Sequence, residues 1–417
     1  MKRFSGLIQG SMVLLGLCGA CSSSEDATGS TTGDATMLPE GCDALVEPGA
    51  DAYTELLGAL MDAQPGQTVC MSEGTFNFVD ELSISGNGVT LKGAGRDLTI
   101  LDFSGQTVGA NGIKITGDDV TITALTVQET PGDGIRGDEV KNITYDNVAV
   151  KWAAQGSMEN GAYGFYPVGC DGVTIRNSVV SGARDAGIYV GQSTNVLVED
   201  CEAYANVAGI EFENTTDATL RRTHAHDNTG GVLIFNLPGL PVKDGKRALM
   251  YDNLVENNNL ANFGEPGTAV SKVPPGIGFM ILAADNNEIR NNEIRGNNSS
   301  GVLIVEYTDM VFEPFDDPEF NIYAQGNYVH DNTFTGNASD PDDLILAITA
   351  GKVPGLDMLL DGCSEPGLDN SDGSLSNCFP GNGAATFMNF DLCGEAGMKS
   401  EDVSLVNCTH TPLEGAM

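Results

Sequence analysis

The chain has 417 residues, 58 of them acidic against 20 Lys and Arg, for a formal charge of −38; Gly is abundant at 53 and Trp occurs once. This balance excludes nucleic acid as a partner, which requires a basic footprint, and it repels a polyanion unless cations bridge the two. The length allows a sizeable core.

The first element in chain order is an export signal. Lys2 and Arg3 precede an apolar run from Leu7 to Leu17, too short to span a bilayer as a lasting helix. Leu17-Cys18-Gly19-Ala20-Cys21, followed by Ser22-Ser23-Ser24, resembles the lipobox of bacterial lipoproteins, with Cys18 standing where Leu is usual. Small residues precede Cys21, which is the expected acylation site; plain secretion is the alternative. Residues 1–21 are read as the signal peptide and 22–40, rich in Ser, Thr, Gly, Asp and Ala, as a flexible tether. The expected address is the cell envelope, at the bacterial outer membrane, with membrane contact only through the N-terminal lipid.

Residues 41–76 read as an N-terminal cap. Tyr53, Leu56, Leu57, Leu60 and Met61 recur at helical spacing, which predicts an amphipathic helix over 51–63. Pro65-Gly66 then makes a turn and Thr68 to Met71 a strand. Such a helix closes the open end of a stack of strands, which otherwise exposes apolar side chains and unpaired edges.

From 77 to 354 the chain repeats. Gly112, Gly134, Gly164, Gly187, Gly209, Gly231, Gly278 and Gly301 are each followed by a large apolar residue, 22 or 23 residues apart where nothing is inserted. The position two beyond that residue is again mostly apolar: Ile115, Val190, Phe212, Ile234, Ile281 and Ile304. Alternation is the period of a strand, and a fixed period of this size means stacked units that cannot bury their apolar faces alone. Small and amide residues mark one corner of each coil (Asn147, Ser178, Cys201, Thr223, Asn253, Asn292, Asn332) and Asn206, Asn228, Asn258, Asn297 and Asn337 mark another. Stacked amides predict hydrogen-bonded ladders.

Insertions interrupt the coils at 152–163, with Trp152 and Tyr163, and at 237–247, 261–276 and 307–325. Loops on a regular scaffold are where function concentrates. Residues 355–417 lose the period and read as a cysteine-rich cap or tail. Ten cysteines in an exported chain imply disulfides. Cys42 and Cys70 bracket the cap and are expected to staple it. Cys363, Cys378, Cys393 and Cys408 are expected to form two bonds, whose pairing stays open. With no Cys-x-x-Cys outside the signal, no structural zinc site is expected.

The opening, from Pro65-Gly66-Gln67-Thr68-Val69 through Gly74-Thr75-Phe76 to Leu91-Lys92-Gly93-Ala94-Gly95, resembles the entry segment of right-handed parallel β-helix proteins of the pectate-lyase-like superfamily. The core resembles a group within it, exported bacterial β-helix repeat proteins that are often lipoproteins. Asp185-Ala186-Gly187-Ile188-Tyr189-Val190-Gly191-Gln192-Ser193 and Asn206-Val207-Ala208-Gly209-Ile210-Glu211 carry that likeness. The resemblance implies an all-β, right-handed parallel β-helix of about ten coils. Superfamily relatives are lyases, hydrolases and epimerases of acidic polysaccharides, so polysaccharide is the implied partner. The Asp-Pro-His-Asp signature of mannuronan epimerases is absent; His224-Ala225-His226-Asp227 is a poor substitute.

The outward positions change character along the stack. Lys114, Arg136, Tyr166, Tyr189 and Glu211 form one early column, with Glu213 beside it; Leu233, Phe235, Met280, Leu282, Leu303 and Val305 follow on later coils. Apolar columns of that size need a cover, either the insertions and tail or an exported partner protein. The early coils are expected to form an open groove. Tyr189, Glu211 and Glu213 are its candidate catalytic residues, and Arg136, Trp152, Tyr166 and Asp185 its candidate substrate-binding residues. Glu211 and Glu213 are also a candidate Ca²⁺ site, since two carboxylates on one strand face either hold a cation or shift in pKa. Two readings follow: a polysaccharide lyase or glycoside hydrolase, or a non-catalytic scaffold that binds glycan or a partner. His224 and His226, beside Arg221 and Arg222, read as surface contacts rather than metal ligands.

Overall fold

The computed structural model describes residues 38–394 and 399–415. The signal, Cys21 and most of the tether lie outside the described residues.

Short strands stack coil on coil, and their pairing is parallel. One sheet of eleven strands carries the glycine repeat. In it the residues after the glycines lie in register, Ile113 on Ile135, Phe165 on Ile188, Ile210 on Val232 and Phe279 on Val302. All are buried and form the axis of the main core. The remaining faces of each coil belong to a second set of strands, for example Asp171–Arg176 on Thr194–Glu199 and Glu202–Tyr204 on His224–His226.

The glycines serve a purpose beyond turning. A Cβ on Gly209 would lie 2.6 Å from the Gly231 carbonyl and 2.7 Å from the Asn228 amide nitrogen, both closer than real contacts allow. At Gly112, Gly134, Gly164, Gly209, Gly231 and Gly278 the carbonyl of the next repeat glycine leaves no room for a Cβ, and at Gly187, Gly209, Gly231 and Gly278 an asparagine column passes close over the position. In that column Asn206 donates to Asn228, Asn228 to Asn258, Asn258 to Asn297 and Asn297 to Asn337, at 2.9–3.2 Å. A second ladder runs from Asn253 through Asn292 and Asn332 to Asn382. A third joins Asn287, Asn327 and Asn377. Each amide satisfies buried groups that the sharp corners leave open.

The helix Ala52–Asp62 caps the stack, burying Ala52, Leu56 and Leu60 against the first strands. Met61, read as part of the apolar stripe, is 74% exposed. The Cys42–Cys70 disulfide ties the cap to the strand Thr68–Met71, as expected. The other bonds are Cys363–Cys393 and Cys378–Cys408, and Cys170 and Cys201 are free and buried. The cysteine-rich segment does more than fold back: Met358–Leu360 and Phe387–Asn389 supply the last two strands of the eleven-stranded sheet.

The apolar late columns are covered by the chain itself. Leu233, Phe235, Met280, Leu282 and Leu303 form a second core with Phe263 and Val273 from one insertion, Tyr307, Phe312 and Phe320 from another, and Phe390 from the tail. Ile345, on the short helix Asp343–Ile348, joins them.

Candidate functional site

Four successive strands of the eleven-stranded sheet position the site: Ile135–Asp138, Tyr163–Val168, Ala186–Gly191 and Ala208–Glu213. Register places Tyr166 beside Arg136, Tyr189 beside Glu211, and Gly191 beside Glu213. The Tyr189 hydroxyl donates to Glu213 Oε1 at 2.7 Å, and Gln192 Nε2 donates to both, at 3.2 and 3.1 Å. Tyr163 stacks on Tyr166 with ring centroids 4.4 Å apart and leans on Tyr189 at 4.6 Å. The Arg136 guanidinium lies 4.9 Å over the Tyr166 ring and pairs with Asp138, as does Lys114. Asp185 sits just before the strand, and its neighbour Arg184 pairs with Glu265 of the 261–276 insertion at 3.1 Å.

The electrostatics follow from burial. Desolvation, reinforced by the Glu213 charge, pushes the Asp185 carboxyl up to about 8. Desolvation raises Glu213 to about 7, against the hydrogen bonds from Tyr189 and Gln192. Glu211 is raised well above the carboxylate range by burial and then by Asp185 and Glu213, and its Oε2 has no hydrogen-bond partner. Burial lifts Asp133 to about 6, with Arg136 acting in the opposite direction. The cluster thus holds protons at neutral pH on groups that are ordinarily ionised. That is the condition for one carboxyl to give a proton while another takes one.

The structure brings together Tyr189, Glu211, Glu213 and Asp185, with Tyr166 and Arg136 at the edge. Two expectations are corrected. Trp152 is not a sugar platform: it is 4% exposed, packs in the main core and donates its Nε1–H to the Thr130 carbonyl at 2.8 Å. Its large apolar surface is worth more in the stack than in solvent. Nor is the groove open. Tyr189 is 4% and Glu211 1% exposed, and Phe263, Val270 and Val273 of the 261–276 insertion join the same apolar cluster as Tyr189. The half-buried side is formed by Tyr163, Tyr166, Arg136 and Asp133.

Among the described residues, Glu211 and Glu213 belong to no group of three or more His, Cys, Asp or Glu whose ligand atoms lie within 4.8 Å of one another. Asp133 and Gln192 were missed by sequence reasoning. Asp133 directly precedes Gly134, while Asp185 lies two residues before Gly187, so the two occupy different positions of the repeat and no shared register announced Asp133.

The family model described as a right handed beta helix region matches residues 111–261, the coils that hold this cluster. The chain is a right-handed parallel β-helix. Among solved structures the β-helix is similar to the A-module of the Azotobacter vinelandii mannuronan C-5 epimerase AlgE6, with a TM-score of 0.51 and 16% identity over 79% of this chain and 89% of the other. The AlgE4 A-module of the same organism gives a TM-score of 0.51 and 14% identity over 82% and 95% of the two chains. At such identities the likeness is one of fold. No curated protein matches the β-helix in sequence.

Proposed function

We propose that this β-helix binds acidic polysaccharide and acts on it by lyase-type proton transfer at the Asp185–Tyr189–Glu213 cluster. The observation that carries the reading is the 2.7 Å bond from Tyr189 to Glu213, set one strand away from the Arg136–Tyr166 pair on the same face. Removing a proton from the carbon next to a uronate carboxylate needs a base, a cation to offset the developing charge and an acid for the leaving oxygen. Glu213 is the base in this reading, Arg136 the cation and Asp185 the proton store, while Tyr163 and Tyr166 offer faces for sugar rings. The name of the similar fold, a mannuronan epimerase, agrees with uronate as the substrate class. The burial of Glu211 and Tyr189 favours a second reading, in which the face binds glycan without chemistry. We place the protein in the cell envelope, anchored through a lipid on Cys21; the three disulfides suit an oxidising compartment.

Incubation of the purified protein with uronate-containing and neutral polysaccharides tests this. Unsaturated products support elimination and new reducing ends indicate hydrolysis instead. Uronate binding without product selects the scaffold reading. Binding to neutral glycans alone overturns the acidic-substrate assignment.

A further inference from the structure

On another face of the coils, the strands Glu202–Tyr204, His224–His226 and Leu254–Glu256 lie in register, with Glu202 beside His224 and His226 beside Glu256. Residues two apart on a strand share a face, and the two imidazoles stack with centroids 4.1 Å apart. Glu202, His224 and His226 each bring a ligand atom within 4.8 Å of the others.

Both ring nitrogens of His226 face carboxylates. Its Nδ1 lies 2.7 Å from Asp227 Oδ2 and its Nε2 lies 3.1 Å from Glu202 Oε1. A neutral imidazole has one N–H. If Nδ1 donates to Asp227, the Nε2 lone pair faces a carboxylate oxygen, which is repulsive. Either a proton on Nε2 or a metal cation between Nε2 and Glu202 removes that conflict. The nearby arginines are engaged elsewhere: Arg222 pairs with Glu199 and Asp200, and Arg295 with Glu256. His330 is held similarly between Asp331 and Glu288, but it belongs to no three-ligand cluster among the described residues.

We propose that Glu202, His224 and His226 form a Zn²⁺ site, with a position open to solvent. Two imidazoles and one carboxylate are a usual donor set for this ion. Ligand atoms of one tetrahedral zinc lie roughly 3.3 Å apart, so the side chains must draw together to close the cluster, while His224 Nε2 is bonded to Glu256 Oε1 at 2.9 Å. Asp227 is the outer partner that fixes the tautomer with Nε2 toward the metal, as carboxylates do for zinc-bound histidines. The site is separate from the Tyr189 cluster and does not depend on its function.

Isothermal titration of chelator-treated protein, prepared without a polyhistidine tag, with Zn²⁺ alone tests the assignment. One ion per chain is expected. His226→Ala and His224→Ala should abolish saturable binding with unchanged circular dichroism, and Asp227→Asn should weaken it about 10- to 100-fold. His330→Ala serves as the reference and should leave binding intact. The assignment is overturned if the wild type shows no saturable binding, if binding survives both histidine changes, or if His330→Ala removes it in a folded chain.

Discussion

Tyr189 lies over Gly191 to reach Glu213 on the next coil. A Cβ at position 191 would sit 2.4 Å from the Tyr189 hydroxyl, and Gly191 is itself the register partner of Glu213. Gly191 is therefore the opening through which the phenol meets the carboxylate. Gly191→Ala should displace the ring, break the 2.7 Å bond and leave Glu213 buried with fewer donors. The expected stability cost is about 1–3 kcal/mol, read by chemical denaturation, with loss of any turnover on uronate polymers. Wild-type activity in this variant would remove the Tyr189–Glu213 bond from the mechanism.

The raised carboxyls make stability depend on pH in a defined direction. Asp185 moves from 3.8 to about 8 and Glu213 from 4.5 to about 7 on folding. Between the unfolded and folded values the native chain holds protons that the unfolded chain has released. Stability is then fully present below about pH 4, falls as pH rises through about 7 and 8, and levels beyond. Glu211 adds to the same slope. Glu211→Gln mimics the protonated acid, so it should match the wild type in acid, exceed it near pH 8 and flatten the profile. Melting temperatures across that range check this; a variant less stable than wild type at pH 8 would mean that Glu211 is ionised in the fold.

The periodic features were legible in the sequence and the aperiodic ones were not. Ile188, Ile210 and Val232 could be placed inside because the glycine before each recurs at fixed spacing, and the Asn206-to-Asn337 column followed from the same count. The apolar run Leu233, Phe235, Met280 demanded a cover by its chemistry alone. The path of that cover was hidden, because 261–276 has no period to say which way Phe263 and Val273 turn. Their placement closed the groove over Tyr189. Trp152 was misread for a similar reason: it opens an insertion, yet its ring points back into the coil. The disulfide partners of the tail depend on strands Met358–Leu360 and Phe387–Asn389 joining the sheet, which no spacing of cysteines announces.

Anchoring is tested independently of the β-helix. Under the proposed anchoring through Cys21, Cys21→Ser should move the protein from the membrane to the soluble fraction of fractionated cells. The disulfides, far along the chain, should form in both. Continued membrane association of the variant would exclude the lipoprotein reading.

Asn258 gives the sharpest test of how the coils are held together. Its side chain accepts from both the backbone N–H and the amide of Asn228, at 3.2 and 2.9 Å, and donates to Asn297 Oδ1 and the Ala225 carbonyl, at 3.0 and 3.2 Å. The residue is fully buried, so water cannot replace these partners. Asn258→Ala strands the Asn228 donors and the Ala225 acceptor, at an expected cost of about 2–4 kcal/mol. Asn258→Asp keeps the acceptor oxygens but, when ionised, has no donor for Asn297 and buries a charge. It should therefore be at least as destabilising as alanine at neutral pH and recover partly in acid, where the carboxyl carries a proton. Denaturation midpoints of the two variants at both pH values make the comparison. Midpoints close to wild type would mean that the ladder contributes little, and that the stack rests on its apolar column alone.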